Sequence, residues 1–103
     1  MSVLKVNSDE FDKEVLNAKS NVLVDFNADW CGPCRMLGPV IEELSENNKG
    51  LKVVSVNVDD NSDLAQKYGI MSIPCLILFK DGKESKRSIG LVSKEELEEL
   101  VGE

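Results

Sequence analysis

Apolar side chains recur along this chain in two rhythms, short runs and helical spacing, and their alternation predicts the architecture. Residues 3–6, VLKV, read as a short edge strand. Asn7 and Glu10 make a helix-capping pair. Phe11, Val15 and Leu16 then repeat at helical spacing, which predicts a helix over residues 8–18. VLVDF, residues 22–26, is apolar at all positions but one, as expected for a central strand covered on both faces. Helical spacing returns at Met36, Leu37, Val40, Ile41 and Leu44, so a second helix should begin inside the CGPC stretch at 31–34 and be kinked by Pro39. KVVSVNV, residues 52–58, is β-branched and strand-like.

Residues 59–69, DDNSDLAQKYG, read as loop, cap, short helix and glycine stop. CLILFK, 75–80, is a strand, Asp81-Gly82 a hairpin turn, and residues 84–89 the antiparallel return. Ser93 and Glu96 form a capping box ahead of a last helix whose apolar face carries Leu97, Leu100 and Val101. The order βαβαβαββα predicts an α/β fold: a central mixed sheet, mostly parallel with an antiparallel C-terminal hairpin, covered by helices on both faces. No repeat, low-complexity segment or linker interrupts it, so residues 1–103 are expected to form one domain.

Charge narrows the partners. With 19 acidic and 12 basic residues the net charge is −7. Phosphate binding needs clustered Lys and Arg, so nucleic acid is not an expected partner, nor is an anionic membrane surface. The first ten residues carry no apolar h-region and no small-residue cleavage site, so no signal peptide is expected. The longest apolar run, IPCLILF, is far too short to span a bilayer. A cytoplasmic location follows as the expectation. The runs Lys80, Lys83, Lys86, Arg87 and Glu95, Glu96, Glu98, Glu99 read as solvated faces.

DWCGPCR, residues 29–35, carries the candidate chemistry. Two thiols this close can be a structural disulfide, half of a metal site, or a dithiol that cycles. The cytoplasm disfavours a permanent disulfide. Three cysteines and no histidine fall short of the four ligands of a closed zinc site, so no metal is expected. A C-x-x-C next to a βαβ pattern reads as redox-active. Cys31 would sit at a helix N-terminus, where orphan N–H groups and the helix dipole favour thiolate. Cys34, one turn on, could attack a mixed disulfide formed at Cys31. Gly32 would permit close backbone approach, Pro33 would stiffen the loop, Trp30 would present an apolar face, and Arg35 would add positive charge. Asp25 is the single charge inside VLVDF; burial should raise its pKa, and with no histidine in the chain it is the best proton acceptor near the motif.

At VDFNADWCGPCR the chain resembles the active-site block of the thioredoxin family. The resemblance extends to Pro39, KYGI at 67–70, Ile73-Pro74, LFKDG at 78–82 and Gly90, and so covers essentially the whole chain. It implies a thiol–disulfide oxidoreductase that reduces client proteins through Cys31 and Cys34 and is regenerated by a thioredoxin reductase. It implies Cys31 as attacking nucleophile, Cys34 as buried resolving thiol, Asp25 as the acid that exchanges protons with Cys34, and Pro74 as a cis-proline facing the disulfide. Backbone around Ile73 and Gly90 would form a groove for an extended substrate, with Trp30, Val58, Ile89 and Leu91 as its apolar rim. No bound cofactor is implied beyond the redox-active disulfide, and a monomer is expected.

Three positions depart from the family pattern. Asn27 stands where an aromatic residue is usual, which could loosen the active-site loop or alter the potential. Ser55 stands where a lysine often accompanies the buried acid. Cys75 follows the proline in place of threonine, either as a small buried hydrophobe or as a third, reactive thiol. Asp25 itself could be a structural acid and Trp30 simple packing. Rival functions are an oxidase or isomerase, a metal protein bridged by two chains, and a non-catalytic docking subunit. Gly-Pro between the cysteines accords with reducing members, and a pure scaffold needs neither CGPC nor Asp25.

Overall fold

The computed structural model describes residues 3–102. Its strands are β1 (Val3–Lys5), β2 (Asn21–Asn27), β3 (Leu51–Asn57), β4 (Cys75–Lys80) and β5 (Lys83–Ile89). Its α-helices are α1 (Gly32–Asn47), α2 (Ser62–Lys67) and α3 (Lys94–Val101). Ahead of β2, where one regular helix was expected, there is a 3-10 turn at Ser8–Glu10 and a wider π-type turn at Asp12–Leu16. The Asn17 N–H reaches back to the Asp12 carbonyl at 2.9 Å. This loose winding still turns both Phe11 and Val15 into the core.

The five strands form one sheet in the order β1-β3-β2-β4-β5. β3 pairs parallel with both β1 and β2, whereas β4 is antiparallel to β2 as well as to β5. The mixed sheet matches the expectation, but its balance does not: antiparallel pairing begins at β4 and not at the final hairpin. The chain returns between α2 and β4 to the same end of the sheet that β2 leaves, so β4 must run the opposite way.

Alternation along the strands builds two cores. One face carries Val22, Val24, Phe26, Val54, Val56, Cys75, Ile77 and Phe79, and is covered by Phe11, Val15 and Leu64. The other carries Leu23, Val53, Leu76 and Leu78 and is covered by Leu37, Ile41 and Leu44 of α1 and Leu97 of α3. β2 is buried on both faces, which explains its continuous apolar sequence. By the same alternation Asp25 and Asn27 share the face of Leu23, under α1.

Asp81 and Gly82 close the hairpin with φ of 53° and 78°. Two positive φ values are the signature of the type I′ turn, which suits the twist of the flanking strands. Gly82 is further required because a Cβ there would lie 2.6 Å from the Leu16 carbonyl oxygen. Ser93 and Glu96 make the expected reciprocal cap at the start of α3.

Candidate active site

Cys31 occupies the N-cap of α1 with extended backbone, and Pro33 lies in the first turn. Proline suits this position because its missing N–H would have had no helical partner. Cys31 and Cys34 are joined as a disulfide, their Cα atoms 5.2 Å apart. The Cys34 amide donates to Cys31 Sγ at 3.2 Å, and the same sulfur lies 3.9 Å from the Ile73 carbonyl oxygen. The helix therefore aims its orphan N–H groups at Cys31. The first turn of α1 holds no acid that would oppose negative charge on that sulfur.

Exposure does not separate the two cysteines: Cys31 is 4% and Cys34 7% exposed. Their surroundings do. Both pack with Ala28, Val58 and Ile73 in a small apolar collar. Cys34 additionally lines an opening of about 320 Å³ with Asn27, Ala28, Asp29 and Arg35. The Arg35 guanidinium donates to the Asp29 carbonyl at 2.9 Å. A Cβ on Gly32 would meet nothing within 4 Å. Its bareness is thus not demanded by the chain's own packing and leaves room beside Cys31 for an incoming disulfide.

The Ile73-Pro74 bond is cis. Next to it the Gly90 N–H donates to the Pro74 carbonyl at 2.7 Å, with Gly90 at φ 93°, a conformation that favours glycine. Trp30, 68% exposed, stands on the same side and donates its indole N–H to Asp59 Oδ2 at 2.8 Å. Trp30, Val58, Ile70, Met71 and Ile73 line a shallow apolar cleft of about 250 Å³. Ile89 and Leu91, which flank Gly90 in the chain, are exposed. Met71, 95% exposed, was missed by sequence reading, as was Asp59. Met71 lies outside the apolar runs, so only its position beside Ile73 reveals it.

Asp25 is buried, and one of its oxygens, Oδ1, has no hydrogen-bond partner. Burial pushes its pKa up to about 6, while a hydrogen bond from Asn27 acts in the opposite direction. Its register partners are Ser55 on β3 and Leu76 on β4, neither charged. Asn27 Nδ2 donates to Asp25 Oδ2 at 3.1 Å and to Ser55 Oγ at 2.8 Å. Two of the unusual positions in the sequence therefore contact each other and the acid.

Cys75 is fully buried among Phe26, Ile77 and Phe79 on the sheet face opposite α1, and burial raises its thiol pKa. This is the small-hydrophobe environment, away from Cys31 and Cys34. Among the described residues no group of three or more His, Cys, Asp and Glu side chains could hold a metal ion, and no helix is long and apolar enough to cross a membrane.

A paired disulfide at a helix N-terminus, beside a cis-proline and an apolar cleft on a mixed five-stranded sheet, defines a thiol–disulfide oxidoreductase. Comparison with known proteins agrees. The thioredoxin family model matches residues 2–103. A thioredoxin of Rickettsia felis is 48% identical over 93 residues, 89% of this chain and 89% of that protein. A thioredoxin of Bacillus subtilis is 46% identical over 102 residues, 98% of this chain and 96% of that protein. A thioredoxin of Pseudomonas aeruginosa is 44% identical over 96 residues, 92% and 89% respectively. The chain belongs to the thioredoxin family, and its activity is protein thiol–disulfide exchange. Membership implies disulfide-bearing client proteins and a reductase as partners, with the cysteine pair a part of the protein and not a bound cofactor.

Proposed function

We propose that this protein is a reducing member of the family, with Cys31 as nucleophile, Cys34 as resolving thiol and Asp25 as the proton acceptor in the resolving step. The observation that carries the assignment is the Cys34 amide directed at Cys31 Sγ from the N-terminus of α1. It favours negative charge on Cys31 and on no other cysteine.

In the dithiol form the Cys31 thiolate attacks one sulfur of a client disulfide. The S–S bond breaks, one client sulfur leaves as thiolate, and Cys31 is held in a mixed disulfide. Asp25 takes the proton of Cys34. The Cys34 thiolate attacks Cys31 Sγ, and the second client sulfur leaves. The client gains two electrons, and with two protons becomes a dithiol; the protein becomes the Cys31–Cys34 disulfide. Trp30, Ile73, Pro74 and Gly90 shape the groove in which the client chain lies extended, and Gly32 and Pro33 keep the approach to Cys31 open and rigid.

Regeneration is assigned to a thioredoxin reductase, which returns two electrons to the disulfide. The protein acts in the cytoplasm, as a monomer and as one domain. The Gly-Pro pair between the cysteines accords with the reducing role, and a reducing compartment is where such a dithiol would be kept ready to act.

The test is trapping. Cys34→Ser should accumulate a mixed disulfide with a client, whereas Cys31→Ser should form none. A reduction potential near about −270 mV supports the reducing role, and one near about −180 mV makes the protein an isomerase or oxidase.

A further inference from the structure

Asn27 sits where β2 leaves the sheet, two residues beyond Asp25 on the same face. Its amide nitrogen serves Asp25 Oδ2 and Ser55 Oγ, and approaches the Asp25 carbonyl at 3.2 Å. Oδ2 is thereby held by a donor, while Oδ1 is buried without any partner. A carboxylate arranged this way has one oxygen committed and one available. Asn27 also lines the opening of about 320 Å³ that contains Cys34. On its other side it lines a second opening of about 250 Å³ with Lys5, Ser55, Asn57 and Asp60. It is the side chain that joins the buried acid, the resolving cysteine and solvent.

We propose that Asn27 is a positioning residue for the resolving step: it fixes the Asp25 carboxylate through Oδ2 and so leaves Oδ1 as the oxygen that takes and returns the Cys34 proton. This rests on the assignment of Asp25 above and deepens it. An N–H donated to a carboxylate stabilises the charged form, so Asn27 also keeps the acid ionised near neutral pH against the effect of burial. Few other groups compete for that influence. β3 offers Ser55 and β4 Leu76, with the Cys75 thiol on the opposite face. β1 places Lys5 beyond Ser55. Cys34 and Arg35 of α1 and Asp29 lie around the opening. The partner of Asp25 is thus a neutral amide and not a cation.

The experiment follows the reaction of the reduced protein with a symmetrical aromatic disulfide by stopped flow. The first aromatic thiolate is released on attack by Cys31, the second on resolution by Cys34. Asn27→Leu should leave the first phase unchanged. It should slow the second about two- to fivefold at pH 6, with the rate recovering by pH 8, as a rise of about half to one unit in the acid's pKa requires. The ¹³C shift of the Asp25 carboxyl should titrate correspondingly higher in the variant. An unchanged second phase, or a slowing of equal size at every pH, overturns the proposal. If Asn27→Leu does not fold, Asn27→Ala removes the same donor without added bulk and is read in the same way. Asp25→Asn separates the two claims. If Asp25→Asn leaves the second phase and its pH profile unchanged, the assignment of Asp25 fails. If Asp25→Asn changes them and the Asn27 variants do not, only the role of Asn27 fails. In the Asp25→Asn background, Asn27→Leu should add no further pH dependence.

Discussion

The Cys34 amide nitrogen lies 3.2 Å from Cys31 Sγ, so the residue proposed to resolve the mixed disulfide also donates a backbone hydrogen bond that favours negative charge on the proposed nucleophile. One helical turn supplies both functions. The N-cap residue accepts from the third residue inside the helix, which is the ordinary geometry of a helix start with sulfur in place of oxygen.

That relationship sets the order of thiol reactivity. In the reduced protein at pH 7, iodoacetamide should label Cys31 at least about tenfold faster than Cys34 or Cys75, because the thiolate is the reacting species. Cys75 should be slowest, since it is 1% exposed and burial raises its pKa. Peptide mass spectrometry across a time course checks the order. Labelling of Cys75 as fast as Cys31 would return it to the list of reactive thiols.

Asp25 makes stability depend on pH in a definite sense. Its folded-state pKa is about 6 against an ordinary 3.8, so the folded state holds the proton more tightly. Between those values the native protein binds more protons than the unfolded chain, and stability falls as pH rises. The contribution is absent above about pH 7 and fully present below about pH 4, and a shift of this size corresponds to about 3 kcal/mol. Asp25→Asn should therefore be more stable than the native oxidised protein at pH 8, with the difference vanishing near pH 4. Thermal unfolding of both proteins over this range measures it.

Trp30 is anchored by the Asp59 carboxylate with most of its ring in solvent. Trp30→Ala should lower kcat/KM for a protein disulfide about three- to tenfold, mostly through KM, as expected for an exposed aromatic contact. Reduction of a small aromatic disulfide should change little. Stability should move by no more than about 0.5 kcal/mol, since the side chain buries little. An equal loss on both substrates would assign Trp30 to the chemistry and not to client contact.

Gly82 offers a stability control remote from the thiols. Gly82→Ala combines a φ of 78° with a Cβ 2.6 Å from a backbone oxygen. It should cost about 1–3 kcal/mol. kcat/KM at a temperature well below the transition should be unchanged, and a loss there would link the hairpin to the site.

Much of this was legible in the chain because local rules dominate it. The apolar run at 22–26 is buried on both faces, the Asp81-Gly82 turn is where turn chemistry puts it, and the CGPC stretch opens a helix. The irregular turns at 8–16 were not legible, because Phe11 and Val15 are spaced equally well for a regular helix; which winding forms is decided by the sheet they pack on. The direction of β4 was equally hidden, since an apolar strand reads the same whichever way it runs.

The site divides in the same way. By itself the sequence determined the fold class, the Cys31–Cys34 pair and the acid within β2, because each depends on residue type at a fixed spacing; the proline before β4 was marked by the resemblance to the thioredoxin family. Tertiary structure alone decided who surrounds them. It placed Cys75 on the far face of the sheet, brought Met71 beside Trp30 and Ile73, and set Asn27 between Asp25, Ser55 and Cys34. Those contacts join residues up to tens of positions apart, and no local pattern encodes them; strand register and the packing of α1 do.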